Sequence, residues 1–355
     1  DSDAIRVPIV QDPGSSFLQT EDMIETTAAH PSDDARSDID ASDGAGRLAG
    51  DAVALVAHWI NVADADETRD ERAVGNRLAG LIADPDGVAF TMRFVDRVVD
   101  MASERGLKVL ATFWLTPDWA DPEAGSRSLP ADPRDYAKAL AWAAERWRGQ
   151  VRAWEVWNEP NSADFLAGAD PAAYADLLCA AHDALRASSA TGADLVFGGT
   201  MHNDSDWIEA AYDAGAGACF DVMATHPYQS PSDTGPLSGS GEAEWEFSHL
   251  AQVRALMRRH GDRRPVWVTE FGWSSHRDRG DEQPWERGVS KRQQATFTVA
   301  ALEALRTRFP FVRKAFLYNE RARTDAGRHM KGYGLMTHGL RPKPVYRAVQ
   351  AWVRR

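Results

Sequence analysis

Two short stretches of the chain end in residues that could do chemistry. Residues 157–161 read W-N-E-P-N, and residues 269–273 read T-E-F-G-W. Each follows an apolar run, and each sets a glutamate, Glu159 or Glu270, where the apolar character stops. A lone Glu at the end of a strand is ordinarily a solvated turn residue, and Pro160 and Asn161 are ordinary turn formers. A pair of such glutamates is a different matter. Two carboxylates held together can take opposite roles, set by their surroundings. One attacks an acetal carbon; the other protonates the departing oxygen and then deprotonates an incoming water. That two-step displacement needs the carboxyl groups about 5–5.5 Å apart. The two glutamates are distant in the chain, so only the fold can bring them together.

The neighbours of both stretches suit this division of labour. Burial and a second carboxylate would raise the pKa of the acid/base, the role read for Glu159. The nucleophile, read as Glu270, must stay ionised, and a donating phenol or imidazole would help. Tyr228 and His226, in T-H-P-Y at 225–228, are the candidates. Asn158 is placed to donate to a sugar 2-hydroxyl, a contact that strengthens in the transition state. Trp273, Trp114 and Trp119 offer flat faces for the apolar side of a sugar ring.

The elements that must position these residues can be read from the pattern. Short apolar runs centre near residues 5, 55, 110, 154, 196, 223, 267 and 315, and helical periodicity fills most of the intervals. Such alternation implies parallel strands joined by right-handed crossovers. Eight units predict an α/β fold of the (β/α)8 TIM barrel type, with the active site at the C-terminal ends of the strands. The whole chain, 1–355, is expected to form one catalytic domain, with residues 11–50 an irregular, loop-rich insertion. No G-x-G-x-x-G opens a helix after the first strand, which argues against a dinucleotide-binding sheet.

Composition narrows the classes further. A formal net charge of -13 over 355 residues lacks the basic face that nucleic acid or anionic membrane requires. No run approaches the roughly 20 apolar residues of a membrane span. Two cysteines, Cys179 and Cys219, permit one bridge but no disulfide framework and no Cys-rich zinc site. No H-x-x-x-H pairing is present, so neither a metal nor a cofactor is expected. The expected partner is a carbohydrate, and the expected state a monomer. A first residue of Asp1 and a glycan-directed role point to a secreted or extracytoplasmic protein.

W-N-E-P-N and T-E-F-G-W together resemble the acid/base and nucleophile motifs of the clan A retaining glycoside hydrolases. H-P-Y at 226–228 is similar to the sixth-strand motif of family 39-like and cellulase-like members. T-P-D-W-A at 116–120 resembles their third-strand loop, and G-Y-G-L-M-T-H-G-L-R-P-K-P-V-Y-R-A-V-Q-A-W-V at 332–353 their last strand, loop and helix. The resemblance runs in order from about residue 88 to 355. It implies a (β/α)8 fold, retention of configuration, Glu159 as acid/base and Glu270 as nucleophile. Where many members carry an Arg near the end of the second strand, this chain has His58 and Trp59; where they place a Trp beneath the sugar, it has Tyr318. The expected substrate is a β-linked glycan. Transglycosylation, or hydrolysis of α-L-arabinofuranosides or related D-furanosides, would use the same pair. An inactive carbohydrate-binding barrel is the alternative of another class.

Overall fold

The computed structural model describes residues 52–58, 88–117, 120–121, 125–322 and 327–354. The strand expected near residue 5 and the segment 11–50 lie outside the described residues. Eight strands are described: β1 (Ala52–His58), β2 (Lys108–Trp114), β3 (Val151–Val156), β4 (Asp194–Val196), β5 (Thr200–Met201), β6 (Met223–His226), β7 (Val266–Phe271) and β8 (Val312–Leu317). The helices are α1 (Val88–Glu104), α2 (Pro133–Arg146), α3 (Pro171–Ala187), α4 (Ser205–Asp213), α5 (Leu250–Arg259), α6 (Lys291–Thr307), α7 (Arg328–Gly332) and α8 (Pro344–Val353).

Local sequence sets the helix starts. Asp132 and Asp170 cap α2 and α3, each accepting a backbone N–H of the first turn and each followed by a proline. A proline there loses no hydrogen bond, because the first-turn N–H groups have no intrahelical partner. Ser290 and Gln293 form a reciprocal capping box on α6.

All six strand pairings are parallel. They form two four-stranded sheets, β1-β2-β3-β4 and β5-β6-β7-β8. The α/β alternation is therefore as expected, while the described pairings do not run as one closed ring. The strand expected near residue 196 is split by Phe197, Gly198 and Gly199, and its two parts fall in different sheets. Gly198 marks a close approach: a Cβ there would lie 2.4 Å from the Val156 carbonyl oxygen.

Strand side chains alternate between two cores. Trp154, Val156 and Val268 pack outward with helix residues such as Leu140, Leu177 and Leu305. A smaller cluster gathers Leu110, Ala153 and Val196 of the first sheet with Ala224, Trp267 and Phe316 of the second, joined by Val222. The two sheets thus share one interior. Two residues further along their strands, Thr112, Glu155, His226 and Thr269 are all buried. An apolar floor is followed by a polar layer toward the strand C-termini, where the site must be.

Cys179 of α3 is bridged to Cys219, just beyond α4. Among the described residues, no helix is long and apolar enough to cross a membrane.

Candidate active site

The end of β3 is held in an unusual backbone shape. Trp157 has φ 69° and Glu159 φ 45°, both left-handed and neither glycine. Such residues cost on the order of 1–3 kcal/mol each and persist where their surroundings fix them. Here the surroundings are explicit. Trp157 N donates to Phe113 O at 2.9 Å, and Glu159 N to Gly199 O at 3.0 Å. Asn161 clamps the end of β5: its Nδ2 donates to Met201 O and Asp204, and its Oδ1 accepts from Met201 N. The turn formers after Glu159 therefore fasten the left-handed turn that presents it.

Glu270 lies within β7, and the two glutamates meet. Carboxylate oxygens of Glu159 and Glu270 and a ring nitrogen of His226 all lie within 4.8 Å of one another. Each carboxylate has its own donor. Tyr228 Oη donates to Glu270 Oε2 at 2.7 Å, and His226 Nδ1 lies 2.8 Å from Glu159 Oε1. The phenol thus serves the nucleophile candidate. The imidazole, expected to serve Glu270, is instead bonded to the acid/base candidate, with Glu270 Oε2 further off at 4.0 Å. Burial alone would push the His226 pKa down. The charge of Glu270, the hydrogen bond to Glu159 and that carboxylate's charge together outweigh it and leave it raised. Spacing alone would let these three side chains hold a cation, but Nδ1 is already engaged with Glu159. Both carboxylates are largely buried, at 6% and 9% exposure, yet still reach solvent.

A second layer supports the pair. Glu155, four residues before Glu159 and still within β3, is 1% exposed. It accepts from Thr112 Oγ1 at 2.6 Å and from Gly199 N at 3.2 Å. Gly199 thus bonds Glu155 through its N–H and Glu159 through its carbonyl. Its open face lies against His226 and Thr269; a Cβ would fall 2.2 Å from His226 Nε2 and 2.6 Å from Thr269 Oγ1. Behind Tyr228, His202 Nδ1 sits 3.1 Å from the Tyr228 carbonyl, and burial lowers the His202 pKa.

The structure sorts the remaining candidates. Asn158 is half-buried beside Glu159; Tyr318 is buried, its ring meeting those of Tyr228 and Tyr333 at 6.3 and 5.3 Å. Trp273 is corrected: it is 2% exposed, donates to Thr234 O at 2.9 Å and packs on Phe247 and Phe297. Its faces are covered by core, so none is left for a sugar. Trp114 is likewise buried, against Trp157 and Phe165. Trp59 and Trp119 lie outside the described residues. His58 ends β1 in register with Trp114, and its side chain lies outside them too. Sequence reasoning missed Glu155, Gly199, His202 and Tyr333. The alternation that points Ala153 inward points Glu155 inward as well, so that signal was present.

The comparisons accord with this geometry. The family profile of glycosyl hydrolases family 39 matches residues 145–353. Among solved structures, the chain is similar to a family 39 glycoside hydrolase from the gut symbiont Bacteroides cellulosilyticus WH2, with 20% identity and a TM-score of 0.62 over 99% of this chain and 63% of that one. It is similar to the family 39 enzyme of Xanthomonas axonopodis pv. citri, with 19% identity and a TM-score of 0.60 over 85% and 60%. A monomeric beta-xylosidase from Caulobacter crescentus CB15 aligns at 18% identity and a TM-score of 0.63 over 98% and 67%. The chain spans less than two thirds of the length of the first two. At these identities the likeness is one of fold. No curated protein sequence matches the chain.

Proposed function

We propose, from the premise that the chain belongs to family 39 of the glycosyl hydrolases, that it is a retaining glycoside hydrolase. The observation that carries this reading is the meeting of Glu159 and Glu270, with oxygens within 4.8 Å and a separate donor on each carboxylate. Retaining enzymes hold the two carboxyl groups about 5–5.5 Å apart and inverting enzymes about 6.5–9.5 Å to admit a water, and nearest oxygens within 4.8 Å are compatible with the closer arrangement. Glu270 attacks the anomeric carbon and forms a glycosyl-enzyme. The Tyr228 hydroxyl holds one of its oxygens in place for that attack. Glu159 gives its proton to the departing oxygen, then takes one from the water that frees the sugar. His226, hydrogen-bonded to Glu159 throughout, fixes the direction of that carboxyl group. Asn158 is the donor for the sugar 2-hydroxyl.

We infer a closed (β/α)8 barrel as the scaffold. The interior shared by both sheets supports it, as does a parallel bridge from Val196 of β4 to Val222, just before β6. A β-linked glycan is the proposed substrate, with β-xylosides first in line because two of the similar structures are beta-xylosidases. The Cys179–Cys219 bridge supports an oxidising, extracytoplasmic location. A monomeric state is proposed with it.

A panel of aryl glycosides identifies the sugar, and two variants then test the roles. Glu270→Ala should abolish turnover, and added azide should restore a product of inverted configuration. Glu159→Ala should keep activity on activated aryl glycosides, whose leaving group needs no proton, and lose it on unactivated ones. NMR of the first-formed wild-type product should show the starting anomer. Early appearance of the other anomer, or full activity of Glu159→Ala on unactivated glycosides, overturns the reading.

A further inference from the structure

Trp285 lies 53% exposed in the loop that follows β7. Large aromatic side chains are normally covered, because each carries on the order of 150–250 Å² of surface to bury. An exposed indole on a floppy loop would signify little, but this one is braced on several sides. Before it, Ser232 N donates to Pro284 O at 2.9 Å. After it, Ser232 Oγ donates to Arg287 O at 2.7 Å. Ser232 belongs to the loop after β6, so the two loops are tied on either side of the tryptophan. The ion pair of Arg287 with Asp233, at 3.6 Å, runs between the same loops.

Beneath it the indole meets His329 edge to face, with centroids 5.7 Å apart. His329 is itself fixed: Nδ1 is 3.1 Å from Glu286 O, and Nε2 is 3.1 Å from Tyr333 Oη. The carbonyl can only accept, so Nδ1 carries the proton and Nε2 accepts from the phenol. That is the neutral ring, and burial lowers the His329 pKa in the same sense. Tyr333 then meets Tyr228 at 5.8 Å, and Tyr228 donates to Glu270. An unbroken set of ring contacts thus leads from the open indole to the reacting carboxylate.

We propose that Trp285 is a sugar-binding platform at the rim of the active site, taking a ring of a β-linked oligosaccharide beyond the two units at the cleaved bond. This rests on the glycosidase reading above. A pyranose presents an apolar C–H face that stacks on a flat aromatic surface. The braced loop holds that surface in place before the sugar arrives, so little ordering entropy is lost on binding. The protein therefore recognises a chain rather than a single sugar, and residues well outside the carboxylate pair set the preference.

The test uses Trp285→Ala and Trp285→Phe in the full chain, with the sugar that the aryl glycoside panel turns over fastest. Two probes of that sugar are compared, its aryl monoglycoside and its β-linked tetrasaccharide. Trp285→Ala should lower kcat/KM on the tetrasaccharide about tenfold relative to the monoglycoside, mainly through KM. Trp285→Phe should recover most of it. A second readout is binding of the tetrasaccharide to Glu270→Gln, which should quench tryptophan fluorescence and lose that quench when Trp285→Phe is added. An unchanged ratio of the two kcat/KM values in Trp285→Ala overturns the platform while leaving the glycosidase reading intact. Turnover of no glycoside by the wild type overturns the glycosidase reading, and this inference with it.

Discussion

Gly199→Ala tests the supporting layer more sharply than any change to the carboxylates. The added methyl would sit 2.2 Å from His226 Nε2, 2.6 Å from its Cδ2 and 2.6 Å from Thr269 Oγ1. Ordinary contact begins near 3.4 Å, so the imidazole must retreat by about an ångström or the backbone must move. His226 and Thr269 are both 0% exposed, so neither has free space to move into. Overpacking of this kind costs about 1–3 kcal/mol of stability. The functional cost is separate. Retreat of His226 stretches the 2.8 Å bond to Glu159, and backbone movement disturbs the Glu159 N–H bond to Gly199 O. A hydrogen bond to a charged group contributes about 1.5–3 kcal/mol, and misplacing a reacting group by an ångström can cost about 100-fold in rate.

The assay is kcat/KM on two glycosides of one sugar, one with an activated aryl leaving group and one without, alongside thermal unfolding. Gly199→Ala should lose about 10–100-fold on the unactivated glycoside and far less on the activated one, because the damage falls on the proton donor. The stability loss should shrink when His226→Ser supplies the missing space, a non-additivity expected only of residues in contact. A folded Gly199→Ala with wild-type kcat/KM on the unactivated glycoside would refute the reasoning. So would equal losses on both glycosides.

Three further outcomes follow from the same geometry. Tyr228→Phe removes the 2.7 Å donor to Glu270 and should lower kcat about 10–100-fold; steady-state kinetics checks this, and a change under twofold would contradict it. The His226 pKa is raised above 6.5 in the folded protein, so the stability it contributes is fully present below pH 6.5 and lost as pH rises through the folded pKa. Melting curves of wild type and His226→Gln should therefore converge with rising pH; a gap that widens reverses the assigned sign. Replacing Cys179 and Cys219 by serine opens a loop with a separation of 40 residues, worth about 4 kcal/mol by chain entropy and about 5 °C in Tm. Calorimetry with and without reductant should reproduce that drop in the wild type, and identical melting would deny the bridge a stabilising role.

The parts of this site that could be read from sequence are those where a residue type changes abruptly. Glu159 and Glu270 interrupt apolar strands, and a barrel-like alternation says which end of a strand holds the chemistry. Tyr228 and His226 were legible as donors, both expected to serve the nucleophile; the phenol does, whereas the imidazole is bonded to Glu159. Which carboxylate each serves depends on sub-ångström placement across two strands. The tryptophans failed for a related reason. Trp273 and Trp114 sit at strand ends, where an indole can either face a ligand or close the core, and only the covering loops decide. Thr234 accepts the Trp273 N–H and Phe247 covers its ring, contacts between segments that no periodicity connects.

Gly199 and Trp285 mark the limits from opposite sides. Gly199 matters through an atom it lacks. In sequence it is one half of a Gly-Gly that reads as a strand breaker, and it does break the strand into β4 and β5. The same absence of a Cβ lets His226 reach Glu159, so one residue shapes both the topology and the candidate site. Trp285 is the converse, a conspicuous residue in a stretch, S-H-R-D-R-G-D-E-Q-P-W-E-R, that reads only as a polar loop. Its standing comes from Ser232, His329 and Tyr333, which belong to segments after β6 and β8. Loops carry specificity because the scaffold can vary them without moving the chemistry. In this chain the separation is incomplete: the ring contacts that brace Trp285 end on Tyr228, the donor to the nucleophile. The packed rings hold the platform and the Tyr228 donor in one rigid frame, so a sugar seated at the rim adds binding without moving Glu270, and chain length should register mainly in KM.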